Sequence, residues 1–189
     1  MPDHQGDNAA MPQLYLATLA DAAELARFAE STFRDTFAAA NTPEHMAQHC
    51  RDNYATAIQA AQITDPAWTT LLIRQQETLI AYAQCRSGDA PACVASARPG
   101  EIHRLYVHRN WHGRGIARML MSACIETLRQ RDADMAWLGV WEQNPRAAAF
   151  YRKSGFVEVG EHVFTLGGDP QRDVVMARAL TREPASAIG

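Results

Sequence analysis

Apolar and polar positions alternate from Gln13 to Leu19 and predict a first strand. Leu25, Phe28, Ala29, Thr32, Phe33 and Thr36 then recur at intervals of three and four, the period of a helix with one face turned to a core. Thr18, with Asp21 three residues on, marks the start of that helix and puts a carboxylate near the positive end of its dipole. The helix should end before Asn41. Thr42-Pro43 gives the next start, a capping hydroxyl followed by proline at the first helical position, for a short helix from Pro43 to Arg51. A third helix is predicted over Thr56–Ile63. Trp68–Arg74 and Thr78–Arg86 read as two strands of a hairpin across the polar turn Gln75-Gln76-Glu77. Ser87–Gly100, rich in Pro, Gly and Ala, reads as a loop whose length is free to vary.

From Glu101 to Gly155 the pattern is strand, glycine-bearing loop, helix, strand, helix. In the strand, period two puts Glu101, His103, Leu105 and Val107 on one face and Ile102, Arg104 and Tyr106 on the other. A carboxylate and an imidazole two residues apart suit a general base, and they suit a surface ion pair equally. The loop Trp111-His112-Gly113-Arg114-Gly115 leads into a helix with the apolar stripe Ile116, Leu120, Cys124 and Thr127 or Leu128. Small residues before a helix N-terminus let the backbone approach an anion, whose partners are the free N–H groups of the first turn. The spacing is neither a dinucleotide fingerprint, which needs a third glycine, nor a P-loop, which needs Gly-Lys-Ser/Thr.

Met135–Trp141 reads as the second strand. Asn144 then caps a helix that begins at Pro145 and closes at Gly155, with Phe156 as the apolar residue after the cap. Tyr151 in that helix is either a packed core ring or a hydroxyl offered to a reacting group. Phe156–Leu166 and Arg172–Ala179 read as the last two strands, joined by a turn at Gly167-Gly168-Asp169-Pro170. The order β-α-α-α-β-β-β-α-β-α-β-β predicts an α/β (α+β) fold with a mixed, mostly antiparallel sheet of six or seven strands and helices on both faces.

Composition narrows this picture. A chain of 189 residues that is 47% hydrophobic fits one domain over residues 13–182, with tails at 1–12 and 183–189. No apolar run reaches membrane-spanning length, and the N-terminus has no apolar signal core, so the expected location is cytoplasmic. The four cysteines form no C-x-x-C pair and are expected to be reduced thiols. His45 and His49 stand at metal-like spacing on one short helix, but no four-ligand set accompanies them, and no metal is expected. Net charge near −3 gives no footprint for nucleic acid, while the local group Arg109, Arg114, Arg118 and Arg152 favours a phosphate-bearing cofactor.

Two motifs carry a resemblance. His112-Gly113-Arg114-Gly115-Ile116-Ala117 is similar to the phosphate loop of the GNAT superfamily of N-acetyltransferases, with His112 in place of the usual Gln or Arg. Asn144, Ala147, Phe150, Tyr151, Gly155 and Phe156 match the family's second signature. The runs WLGVWEQNPRAAAFYRKSGFVEVGEHVF, GGDPQRDVVMARAL and TFRDTF resemble the PaiA-type polyamine N-acetyltransferases. The resemblance implies a GNAT fold and acetyl-CoA as co-substrate, attacked directly by an amine in a ternary complex.

On that resemblance the pyrophosphate lies against His112, Gly113, Arg114, Gly115, Ile116, Ala117 and Arg118. The Leu105 N–H meets the thioester oxygen, and Tyr106, Val107, Asn144, Ala148 and Arg152 flank the cofactor. Tyr151 protonates the departing thiolate. By location rather than by motif, Glu101 is the preferred base for the amine's proton, directly or through water, with His103 as a candidate relay. The implied acceptor is a small amine, a polyamine or diamine, with Asp35 and Glu142 as candidate carboxylates for it. A protein N-terminus, lysine, amino acid or antibiotic amine is an alternative acceptor, and a non-catalytic acyl-CoA-binding regulator is an alternative of another class. Val163, Phe164, Val174 and Val175 offer an edge for a homodimer.

Overall fold

The structure, a computed structural model, describes residues 11–180. The tails expected at 1–12 and 183–189 lie, Met11 and Pro12 apart, outside the described residues. The elements are β1 (Gln13–Leu16), α1 (Ala22–Phe37), α2 (Pro43–Tyr54), α3 (Thr56–Thr64), β2 (Trp68–Gln75), β3 (Thr78–Ser87), β4 (Pro99–Val107), α4 (Ile116–Gln130), β5 (Met135–Trp141), α5 (Pro145–Lys153), β6 (Val157–Leu166) and β7 (Asp169–Ala179), with 3-10 turns before and after α1 and before α4. They occur in the predicted order. The strands form one sheet, β1-β2-β3-β4-β5-β7-β6, in which every neighbouring pair is antiparallel except β4 and β5.

Helices cover both faces because the strands between them are apolar on both sides. The stripe of α4, Ile116, Leu120, Cys124 and Leu128, is buried on one face against Ala83, Cys85, Ile102, Leu138 and Met176, and Phe150 and Tyr151 of α5 pack beside it. On the other face Leu25, Ala29 and Phe33 of α1 and Met46, Cys50 and Tyr54 of α2 pack on Leu72, Tyr82 and Leu166.

The start of α1 is fixed as expected. The Thr18 backbone N–H and hydroxyl both donate to the Asp21 carboxylate, at 2.8 and 2.9 Å. β1 ends at Leu16, short of the predicted Leu19, because the chain must turn into this cap. α2 runs three residues beyond the predicted Arg51, since one more turn buries the Tyr54 ring against Phe33, 5.4 Å between centroids, and beneath the Arg104 guanidinium.

Two expectations fail for tertiary reasons. The loop before β4 is not free to vary: Val94 is buried on Trp137, Val175 and Ala177, roofing a part of the sheet that no helix reaches. The period-two reading of β4 also fails. The register steps from Gln84↔Arg104 to Cys85↔Ile102, so β4 carries an extra residue at His103. This bulge moves Leu105 and Val107 onto the α4 face with Ile102, and leaves Arg104 and Tyr106 facing the α1–α3 side. Of the residues proposed for a dimer edge, Val175 is fully buried, whereas Val163 is exposed on β6, one of the two edge strands.

The β6–β7 turn presses on α2. Gly167 has φ +57°, and a Cβ there would come within 2.1 Å of the His45 carbonyl oxygen, whereas Gly168 at φ +96° faces open space. Gly167→Ala should therefore lower the unfolding free energy by more than about 2 kcal/mol in urea titration. Gly168→Ala should lose only the backbone strain, about 1 kcal/mol.

Candidate active site

β4 and β5 pair at only three positions, Pro99↔Met135, Gly100↔Ala136 and Glu101↔Trp137. Beyond them β4 stays with β3 and β5 stays with β7, so the two strands part and their facing backbone groups lose each other. A cavity of about 760 Å³ opens at the split. One end lies under the start of α4 and the other under the end of α1.

At the α4 end the cavity is walled by Val107, Trp111, His112, Gly113, Gly115, Ile116, Ala117 and Arg118. Gly115, at φ +82°, is the left-handed residue before the helix, and the first-turn N–H groups after it have no partner within the helix. The His112 ring Nε2 lies 2.8 Å from the Val107 carbonyl and donates to it, so this side chain ties the loop to the end of β4. Asn144 accepts from the Ala147 N–H at 3.1 Å, caps α5 and lines the cavity beside Tyr151. Burial pushes the Tyr151 hydroxyl well above the ordinary phenol range and keeps it protonated. Three expected cofactor contacts are not on the wall. Arg114 lies over the Trp111 ring at 5.0 Å, Arg152 pairs with Glu158, and Ala148 packs into the core. Arg109 and Arg146 line the cavity instead.

Leu105, Tyr106 and His103 of β4 line the middle of the cavity, but Glu101 does not. Glu101 is buried, with one oxygen 2.9 Å from His103 Nδ1 and the other paired with Arg86. Burial alone would raise its carboxyl, but His103 and Arg86 outweigh that and hold it below the usual range. Burial in turn lowers the His103 ring, so the imidazole is neutral near pH 7. With Nδ1–H donating to Glu101, Nε2 is left as the ring's acceptor. Arg104 is buried on amide oxygens, donating to Gln84 Oε1 at 2.7 Å and Gln62 Oε1 at 3.2 Å.

The far end is aromatic and acidic. Phe33 and Phe37 of α1, Trp141 of β5 and Phe164 of β6 line it, with Phe37 and Trp141 5.4 Å apart. Asp35 is on this wall as expected, while Glu142 is turned to Arg172 at 3.0 Å outside it. Sequence reasoning missed Asp173, a carboxylate on the buried face of β7; the signal available was one acid directly before the apolar run Val174-Val175-Met176. Its Oδ1 has no hydrogen-bond partner among the described residues, and burial raises its carboxyl to about 6. His49, of the metal-like pair, stacks on Phe33 at 4.4 Å, and burial lowers its ring to about 4. Among the described residues no group of three or more His, Cys, Asp or Glu side chains is placed to hold a metal, and no helix is long and apolar enough to cross a membrane.

The acetyltransferase (GNAT) family profile matches residues 25–156. An uncharacterized N-acetyltransferase of Mycobacterium tuberculosis is 36% identical over 162 residues, 86% of this chain and 99% of that protein. PaiA N-acetyltransferase from Thermoplasma acidophilum, in complex with coenzyme A, superposes with TM-score 0.70 at 18% identity, over 90% of this chain and 99% of that one. The yncA protein of Salmonella typhimurium, with its cofactor acetyl-CoA, gives 0.69 at 18% identity, over 95% and 100% of the two chains. The chain belongs to the GNAT family and is an N-acetyltransferase.

Asp173 makes the site costly to keep. A carboxyl raised by burial favours folding below its unfolded value and loses that contribution as pH rises through about 6. Asp173→Asn should therefore melt above the wild type at pH 8, and the gap should close by pH 4. Paired thermal melts across that range, without ligand, are the check.

Proposed function

We propose that the protein transfers the acetyl group of acetyl-CoA to a primary amine of a small molecule, a polyamine or diamine, by direct attack in a ternary complex. The observation that carries this reading is the single cavity that joins a helix N-terminus with free N–H groups to an acidic, aromatic chamber, with the parted edges of β4 and β5 between them. Such a cavity accepts a phosphate-bearing acyl carrier at one end and a cation at the other.

In this reading the pyrophosphate sits on the N–H groups of Gly113, Gly115, Ala117 and Arg118, with Arg109 near enough to add charge. The pantetheine arm enters the split as an added strand against Val107, with Asn144 on its other side. The Leu105 N–H donates to the thioester oxygen as charge develops there. An alkylammonium has a pKa near ~10.4, so a proton must leave before attack. His103 Nε2 accepts it, through water where the amine stands back, and Glu101 acts by positioning: it holds Nδ1–H and stabilises the imidazolium that forms. The amine then attacks the thioester carbon, and the C–S bond breaks as the tetrahedral intermediate collapses. Tyr151 gives its proton to the departing sulfur, and the held-up pKa of its hydroxyl ensures that the proton is present. The amine end is supported by the acid chamber and by the PaiA-like sequence runs.

Thiol release from acetyl-CoA, measured against spermidine, spermine, diamines, amino acids and peptides, tests the reading; absence of turnover on every small amine would sink it. Tyr151→Phe should lower kcat more than about tenfold and leave acetyl-CoA affinity nearly unchanged, as expected for a group that acts only at the transition state. Unchanged turnover in that variant removes Tyr151 from its role.

A further inference from the structure

The aromatic end of the cavity holds a carboxylate that no described residue engages by a hydrogen bond at Oδ1. Asp173 is 9% exposed, lines the cavity, and its Oδ1 has no hydrogen-bond partner among the described residues. Its nearest basic group, His162 on β6, stands off at 3.8 Å from Oδ2, and burial lowers that ring so that it is neutral near pH 7. His162 Nε2 likewise has no hydrogen-bond partner among the described residues. A buried carboxylate left in this state is expensive, and proteins ordinarily pair it or remove it. The contrast within the same molecule is sharp: Glu101, equally buried, has both oxygens engaged.

The surroundings keep the carboxylate open to a ligand. Its neighbour on β5 is Gly139, where a side chain would intrude: a Cβ there would lie 3.0 Å from Asp173 Oδ2 and 2.8 Å from His162 Nε2. Trp141, the register partner of Asp173, and Phe37 stand over the same part of the cavity, with Phe164 and Gln171 completing the wall. Aromatic faces around one anion form a receptor for an organic ammonium, which gains from both the charge and the rings.

Position decides which ammonium. The attacking nitrogen must reach the thioester between β4 and β5, near His103 and Leu105. Asp173 is on β7, with the whole of β5 between it and β4. Neighbouring paired strands stand about 4.8 Å apart, so the β4 backbone that carries His103 and the β7 backbone that carries Asp173 are roughly 10 Å apart, with β5 between them. One nitrogen cannot occupy both. Resting on the proposed amine acetylation, we propose that Asp173 holds a second, non-reacting ammonium of the acceptor, and so selects diamines and polyamines over monoamines. The aromatic wall takes the methylene chain between the two nitrogens.

The test compares Asp173→Asn with the wild type in thiol-release kinetics on 1,4-diaminobutane and spermidine, and on n-butylamine, which carries the reacting end alone. Asn keeps the shape and removes the charge. The expected result is a fall of at least about tenfold in kcat/KM for the diamine and spermidine, mostly in KM. Turnover of n-butylamine and calorimetric affinity for acetyl-CoA should stay within about twofold. An equal fall for the monoamine, or no fall for the diamine, overturns the assignment of Asp173 while amine acetylation stands. Wild-type enzyme that acetylates no small amine at all overturns the amine reading and this inference together. Acetyl-CoA binding by the variant shows that it is folded, and Asp173→Glu, which keeps the charge on a longer arm, should retain part of the diamine preference.

Discussion

The parting of β4 from β5 after three residue pairs is the constraint on which the rest of the molecule depends. A sheet is stable when its ladders are continuous, because unpaired backbone groups away from water are costly. Here the continuous ladders lie within two blocks, β1 to β4 and β5 to β7, and the split runs between them. α4 packs chiefly on the first block, and one continuous core of side chains on that face runs on through Ile102 to Leu138, Val140 and Met176 of the second. The open edges are thus held in place by side-chain packing elsewhere, and the polar groups they expose are ready for an extended ligand with amides of its own.

The bulge at His103 serves the same opening. By inserting one residue it turns Leu105 and Val107 toward α4 and leaves His103 and Arg104 both on the cavity wall, with Arg104 held by amide oxygens. Electrostatically the site is graded along its length. The α4 end offers N–H groups and arginines, the middle a neutral imidazole held by a compensated carboxylate, and the far end an uncompensated one. The two carboxylates that line the cavity, Asp35 and Asp173, thus lie at the end away from the α4 N-terminus, and in the proposed reading this grading separates a cation from phosphates by charge.

Much of this was legible in the chain. Local signals are written in neighbours along the sequence: Thr18 with Asp21, Asn144 with Pro145, and Gly115 before an apolar stripe each fix an element through contacts of three or four residues. Tyr151 was legible through its place in a motif. The acceptor chamber was not, because its walls come from α1, β5, β6 and β7, which only folding brings together. Asp35 was placed rightly in the cavity and Glu142 was not, since a carboxylate's direction at the end of a strand depends on a partner, Arg172, thirty residues away.

The sequence alone determined the order of elements, the mixed sheet with helices on both faces and the glycine loop before α4, because periodicity, capping and glycine placement act over short range. Only the tertiary structure decided that β4 is bulged, that Glu101 lies behind His103, that the loop around Val94 is part of the core, and that Asp173 is buried with one oxygen unbonded among the described residues. Each of these is a matter of register or of burial between distant segments. A one-residue shift in pairing reverses which side chains share a face, and no local pattern records it.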